Sequence, residues 1–207
     1  MKTVAVLGRG ILAVLIADWF RQSRKYDLIG VVAPLPEREW ETSFRSWAKG
    51  YGIRCHKHHD YLLPGMDLVM SVQYPKILDQ EFLDWYGWCI NLHFSALPKY
   101  RGMRPINWAL KNNETMHGVT LHEIDAGIDT GPIISQLRFP IDPRTQEVED
   151  VYRECCKQGY LLFLNTIPFL WDIVPRSQEA AAASASYYGT KDIKLLGDRA
   201  DWRRDEA

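Results

Sequence analysis

The chain has 207 residues, and at roughly 150 residues per domain it has room for one compact domain with an appendage, not for a multidomain machine. A hydrophobic fraction of 46% with 25% charged residues is the usage of a folded globular chain and excludes the disordered, collagen-like and fibrous classes. The 25 basic and 26 acidic residues give a net charge of -1, so no global field gathers nucleic acid or an anionic membrane, and neither is an expected partner. Cys55, Cys89, Cys155 and Cys156 form no CxxC pair and no zinc-type spacing with histidine, so they read as reduced thiols and no metal ligand is assigned. Met1-Lys2-Thr3 runs into Val4-Leu7 without the pattern of a signal peptide, and a cytoplasmic location is expected. The most apolar stretch, Tyr160 to Val174, is shorter than the roughly 20 residues of a membrane span and is interrupted by Asn165, Pro168 and Asp172; it reads as a buried helix.

In chain order, Val4 to Leu7 is a short apolar run closed by Gly8-Arg9-Gly10, and Ile11, Leu12, Leu15, Ile16, Trp19 and Phe20 then recur at helical spacing. A second run, Leu28 to Ala33, ends at Pro34-Leu35-Pro36; Trp40, Phe44 and Trp47 predict another helix before Gly50-Tyr51-Gly52. Asp67 to Val72 and Trp88 to His93 are further buried-strand candidates, separated by a helical stretch with Ile77, Phe82 and Trp85. This alternation predicts half of an open, doubly wound parallel sheet. After His93 a loop from Ser95 to Pro105 leads to a helix from Ile106 to about Lys111. Val119 to Asp125 and Pro132 to Ile141 follow as strands that could pair antiparallel, and a long helix runs from Gln146 to about Leu164. Beyond Pro175 the small, polar stretch Glu179 to Ser184 reads as a linker or short helix, followed by a solvated tail of balanced charge from Lys191.

Several groups could carry chemistry. Gly8-Arg9-Gly10, between a strand and a helix, could hold a phosphate on backbone N–H groups. As a dinucleotide fingerprint it is incomplete: Ala13 stands at the third glycine position, and Val31-Val32-Ala33-Pro34 ends the second strand without an acidic residue. A structural turn and a substrate-phosphate contact both remain open there. His56, His58 and His59 form an HxHH cluster, with His56 and His58 expected on one strand face; without a third or fourth ligand it reads as a solvated loop. Cys155-Cys156 reads as core packing. Asn91 and His93 are two apart on a predicted strand and so share a face at its C-terminal end, where open α/β sheets place their sites. Asp129 lies between Gly127 and Gly131, where the backbone can bring a carboxylate close to a ligand or simply make a turn.

These stretches are similar to a known family. N-L-H-x-S-x-L-P-K-Y-R-G at 91–102, R-P-I-N-W-A-L at 104–110, G-V-T-L-H at 118–122 and D-T-G-P-I-I at 129–134 resemble the formyltransferases that use N10-formyltetrahydrofolate, and the resemblance covers residues 4 to about 175. It implies a Rossmann-like α/β fold: an open, mostly parallel sheet with helices on both faces, an antiparallel extension and a short C-terminal tail. The catalytic core would be residues 1–175, and 176–207 a linker and short C-terminal extension. Asn91, His93 and Asp129 match the family's catalytic trio. Such chemistry passes through a tetrahedral intermediate, whose oxyanion Asn91 and a protonated His93 could receive. Asp129 would favour the charged imidazole and accept the proton of the attacking amine. The resemblance places the pterin against Lys76, Ile77 and Leu78 and against Asp125, Ala126, Gly127 and Ile128, with no metal expected. Thr120 and His122 match positions near the site and read as supporting side chains.

Lys99, Arg101, Arg104 and Lys111 stand against Glu114 alone between Asn91 and Gly118, a basic excess that suits a phosphate-bearing substrate. Gly8, Arg9, Gly10, Tyr100, Arg101, Gly102 and Arg104 are therefore the candidate substrate contacts. Relatives acting on methionyl-tRNA carry an additional C-terminal β-domain, for which this chain leaves no room. Those acting on glycinamide ribonucleotide usually have proline where Phe94 stands. The run from Lys99 to Trp108 looks more like the enzymes that formylate nucleotide-linked amino sugars for surface polysaccharides or lipid A. Tyr187-Tyr188-Gly189 with Asp201-Trp202 resembles the start of their extension, which could serve a homodimer or the substrate. Another small amine acceptor, a formyltetrahydrofolate hydrolase and a non-catalytic folate-binding module are the alternatives.

Overall fold

The computed structural model describes residues 1–37 and 42–197. Two compact units make up the chain: Met1–Leu92 with Glu123–Ala126, and His93–His122 with the chain from Gly127 onward. The first contains β1 (Lys2–Gly8), α1 (Gly10–Gln22), β2 (Tyr26–Val32), α2 (Phe44–Gly50), β3 (Cys55–His56), β4 (Leu68–Val72), α3 (Gln80–Leu83) and β5 (Trp88–His93), whose last residue opens the second unit. Its strands lie in the order β3-β2-β1-β4-β5, each pair parallel. Val4, Ala5, Val6 and Leu7 of the central β1 are all fully buried. Side chains of both parities are inside, because helices cover both faces of such a sheet, and this is why the strand reads as a continuous apolar run instead of an alternation. On α1, Leu12, Ile16 and Phe20 recur every fourth residue and are buried, while Asp18 accepts hydrogen bonds from Arg21 and Gln22 on the outer face.

The turn between β1 and α1 is fixed by sterics. A Cβ on Gly8 would lie 2.2 Å from the Val72 carbonyl oxygen and 3.1 Å from the Ala13 Cβ, and Gly10 takes φ 72° as the helix begins. β1 can pass the end of β4 this closely only with glycine at position 8. The helix expected from Trp40, Phe44 and Trp47 starts at Phe44, where the Ser43 side chain accepts the Ser46 N–H; Trp40 lies outside the described residues. Of the helical stretch expected over Ile77 to Trp85, only the four residues of α3 are helical, started by the Asp79 cap on the Phe82 N–H. Ile77 is 74% exposed in the preceding loop, so its helical spacing was accidental. The two-residue β3 is too short to display a period and left no signal in the sequence.

The second unit holds β6 (Arg101–Gly102), α4 (Pro105–Lys111), β7 (Met116–Glu123), β8 (Ile133–Pro140), α5 (Val148–Thr166) and β9 (Tyr187–Tyr188). β7 and β8 pair antiparallel, and β6 pairs parallel with β9. The chain is thus mostly parallel with an antiparallel pair, an α/β Rossmann-like fold. A reciprocal capping box between Glu147 and Asp150 starts α5, whose buried residues Val148, Val151, Cys155, Leu162 and Phe163 follow helical spacing. Cys156 is buried as well, so both adjacent thiols are core.

The apolar stretch from Tyr160 to Val174 is one α-helix only as far as Thr166 and continues as a 3-10 turn over Ile167–Asp172. Pro168 lacks the N–H that a continuing α-helix would need. Short 3-10 turns also occupy Glu179–Ser184 and Thr190–Leu196. Asp201 and Trp202 lie outside the described residues. Among the described residues, no helix is long and apolar enough to cross a membrane. Substituting Gly8→Ala should lower stability by about 1–3 kcal/mol through overpacking against the Val72 carbonyl. Urea unfolding of the variant should show a reduced midpoint, and an unchanged midpoint would contradict the close approach.

Candidate functional site

In the second unit three segments converge on one carboxylate. His93 at the end of β5 places Nδ1 3.5 Å from Asp129 Oδ2, and His122 near the end of β7 places Nε2 3.5 Å from Asp129 Oδ1. The Gly102 N–H donates to Asp129 Oδ2 at 2.8 Å. His93 and His122 are buried and Asp129 is largely so, with side-chain exposures of 9%, 2% and 13%. The loop that delivers the carboxylate is tightly built: a Cβ on Gly127 would meet the Thr130 hydroxyl oxygen at 2.0 Å, and Asp129 itself takes φ 54°. Tyr100 and Arg104 also have positive φ, at 59° and 57°. For non-glycine residues such backbone costs on the order of 1 kcal/mol each and persists where surrounding contacts demand it, commonly at functional sites.

The carboxyl of Asp129 is held well below the ordinary carboxylate range. Burial opposes its charged form, but the imidazoles of His93 and His122 and the Gly102 N–H together outweigh that penalty. The ring of His93 is anchored through Nε2–H, which donates to the Tyr100 carbonyl at 2.8 Å. Its other nitrogen then faces Asp129 at a separation longer than the roughly 2.7–2.9 Å of a charge-assisted hydrogen bond. The pair is not closed on itself, so Nδ1 and the carboxylate keep capacity for a reacting group. The carboxylate can accept a proton from a reacting group, while the Nδ1–H of a protonated His93 beside it can donate a hydrogen bond.

A polar frame supports this cluster. Thr120 donates to the Ser95 carbonyl at 2.7 Å and accepts from the Leu97 N–H and from Gln136, which also donates to the Leu97 carbonyl. His117 bonds the Phe94 carbonyl, and burial lowers its pKa to about 4. Gln178 has no counterpart in the sequence reading. Its amide nitrogen donates to the Asp129 and Gly131 carbonyls at 3.0 and 2.7 Å, and its oxygen accepts from the Arg101 guanidinium. An isolated glutamine in a small, polar stretch carries no periodicity that could have revealed it.

Asn91 lies two residues before His93 on β5, in register with Ser71 of β4 in the first unit. Tyr100 is buried and donates its hydroxyl to Glu114 at 2.8 Å, and its ring stacks on Tyr188. Arg104 precedes α4, and Arg101 is engaged by Gln178. In the first unit Leu78 is core, whereas Lys76 and Ile77 are exposed in the loop after β4. Asp125 is half-buried, while Ala126, Gly127 and Ile128 are exposed. Gly8, Arg9 and Gly10 form the β1–α1 turn, where the Arg9 N–H reaches the Val72 carbonyl. The solvated-loop reading of the histidine cluster is corrected for His59, which is 6% exposed. β3 ends at His56, and a 3-10 turn over His59–Tyr61 docks the ring edge-on to Phe82 at 4.9 Å, with Nδ1 2.9 Å from the Tyr74 hydroxyl.

Residues 57–167, more than half of the chain, match the Formyl transferase family. A methionyl-tRNA formyltransferase of Clostridium tetani is 43% identical over 103 residues, covering 49% of this chain and 33% of that protein. Another, from Citrifermentans bemidjiense, is 35% identical over 145 residues, covering 67% of this chain and 43% of that one. The chain thus spans less than half the length of these curated relatives. Among solved structures, WlaRD, a sugar 3N-formyl transferase crystallised with dTDP and 5-N-formyl-THF, superposes with a TM-score of 0.82 at 28% identity, over 96% of this chain and 73% of that one. An N-formyltransferase from Helicobacter canadensis, in complex with folinic acid and dTDP-3-aminofucose, gives 0.80 at 26% identity over 93% and 72%.

The depressed Asp129 carboxyl has a consequence for acid stability. A carboxyl whose folded pKa lies below its unfolded value of about 3.9 contributes stability that is fully present above that value and is lost as pH falls toward the folded one. Urea unfolding of the protein and of Asp129→Asn should therefore show a stability gap that is constant near pH 5 and closes below about pH 4. A gap that stays open through the acid limb, or that is absent at pH 5, would contradict the assignment.

Proposed function

The chain belongs to the formyl transferase family, and from that premise we propose that it moves a formyl group from N10-formyltetrahydrofolate to the amino group of a nucleotide-linked amino sugar. The observation that carries the transfer reaction is the buried Asp129 carboxylate, kept ionised beside an imidazole edge that is still available to a substrate. The amine nitrogen attacks the formyl carbon, a C–N bond forms, and the carbonyl π pair moves onto oxygen. The His93 Nδ1–H and the Asn91 side-chain amide are assigned as donors to that oxyanion. Asp129 takes the proton that the attacking nitrogen must lose. When the intermediate collapses, the oxyanion pair re-forms the carbonyl, the bond from the formyl carbon to N10 breaks, and N10 receives the proton that Asp129 took as tetrahydrofolate leaves. Lys76, Ile77 and Leu78, and separately Asp125, Ala126, Gly127 and Ile128, are assigned to the pterin.

The amino-sugar reading is supported by the two sugar-type structures, each of which matches more than nine tenths of this chain. A phosphate-bearing acceptor also suits the local charge. Glu114 neutralises Lys99 at 2.7 Å, whereas the partner of Arg101 among the described residues is the neutral Gln178. Arg101, Arg104, Tyr100, Gly102 and the Gly8-Arg9-Gly10 turn remain the assigned acceptor contacts. Methionyl-tRNA is the second reading, favoured by the identities of 43% and 35% to the curated relatives.

Incubation with N10-formyltetrahydrofolate and either dTDP-linked amino sugars or methionyl-tRNA, followed by mass analysis, separates the two. A single formyl gain on the sugar nucleotide is the expected result. Formylation of methionyl-tRNA alone would replace the acceptor, and folate release without any acceptor would indicate a hydrolase. Asn91→Ala, His93→Ala and Asp129→Ala should each lower turnover by about 10²-fold or more, the scale of losing one oxyanion donor. Near-normal turnover in any one variant removes that residue from the mechanism.

A further inference from the structure

A second cluster of ligating side chains lies in the first unit, at the turn that follows β3. His58 Nδ1 is 2.9 Å from Asp60 Oδ2, and His59 Nε2 is 3.3 Å from Asp60 Oδ1. One ligand atom from each of the three residues lies within 4.8 Å of the other two. The two imidazoles stack with their centroids 4.2 Å apart. His58 Nδ1 is buried and has no hydrogen-bond partner among the described residues, despite its short distance to Asp60. Nitrogen and oxygen are therefore close without being aligned as donor and acceptor, which is how two ligands of one ion are disposed. Tetrahedral zinc with bonds of about 2.0–2.1 Å separates its ligand atoms by roughly 3.3 Å, a spacing these three ligand atoms, all within 4.8 Å of one another, can reach by small side-chain rotations.

The surroundings also suit an ion. His59 Nδ1 lies 2.9 Å from the Tyr74 hydroxyl, which can accept the Nδ1–H and leave the Nε2 lone pair for a metal. Such an outer partner fixes the ring and tautomer of a ligating histidine. His59 packs in T-shaped contacts with Phe82 and Tyr74, while the Asp60 side chain is 68% exposed, so one side of the cluster is packed and the other open to solvent. Two imidazoles and one carboxylate favour a borderline first-row cation over magnesium or calcium, which take oxygen ligands.

We propose that His58, His59 and Asp60 form a binding site for a single zinc-type divalent cation, with a water or small anion completing its coordination. Calorimetric titration of the untagged protein with Zn²⁺, and visible absorption of the Co²⁺-loaded protein, test this directly. One ion per chain, with tetrahedral Co²⁺ bands, is expected. Asp60→Asn and His58→Gln change residues away from the core and should each weaken binding by at least about tenfold, and Tyr74→Phe by about tenfold or more through loss of the outer partner. Far-UV dichroism checks that each variant is folded. No Zn²⁺ binding, or unchanged affinity and stoichiometry in the folded His58→Gln/Asp60→Asn double variant, would overturn the site.

Discussion

Placing a carboxylate where water is excluded is unfavourable unless positive charge and hydrogen-bond donors replace the lost hydration. Asp129 meets that condition with two imidazoles and one backbone N–H, and the surrounding structure serves to bring these groups together. β7 carries His122, the start of the second unit carries His93, and the short β6 strand supplies the Gly102 N–H. β6 is itself held by β9, with the Tyr187 and Tyr188 backbone alongside Arg101 and Gly102. Three of the non-glycine residues with positive φ, Tyr100, Arg104 and Asp129, lie on the segments that carry the carboxylate and its backbone donor.

Two close approaches in the second unit also need glycine. A Cβ at Gly102 would lie 2.3 Å from the Tyr188 carbonyl oxygen, so β6 and β9 could not pair there with a side chain present. Gly118 allows β7 to pass Ala96, whose Cβ would be 2.9 Å from a side chain at that position. Both glycines belong to motifs that resemble the formyltransferases, and glycine at these two positions has a steric reason. The family match over residues 57–167 covers these stretches, while the identities to methionyl-tRNA formyltransferases and the superposition on sugar formyltransferases bear on the acceptor from different sides.

Periodicity carried much of the fold. The apolar run of β1, the fourfold spacing of Leu12, Ile16 and Phe20, and the stripe along α5 are local patterns, and each marks an element the structure contains. The two-residue strands β3, β6 and β9 lie below the length at which alternation can be read, so their pairings were invisible. His93 and Asp129 stood out in the sequence because their motifs did. Their geometry depends on contacts across long sequence separations, such as Gln178 to Asp129 and Tyr100 to Ser186, which leave no local trace. The burial of His59 was likewise unreadable from HxHH alone, since it comes from docking against Tyr74 and Phe82.

Asp129 stays ionised in its largely buried setting because His93, His122 and the Gly102 N–H hold the charge. Carboxyl-carbon NMR, with the Asp129 signal assigned by its loss in Asp129→Asn, reads that ionisation directly. The signal should remain that of a carboxylate from neutral pH to below about 3.5, beneath the ordinary aspartate value of about 3.9. A titration midpoint at or above about 4 would contradict it, because burial would then have outweighed the imidazoles and the backbone donor.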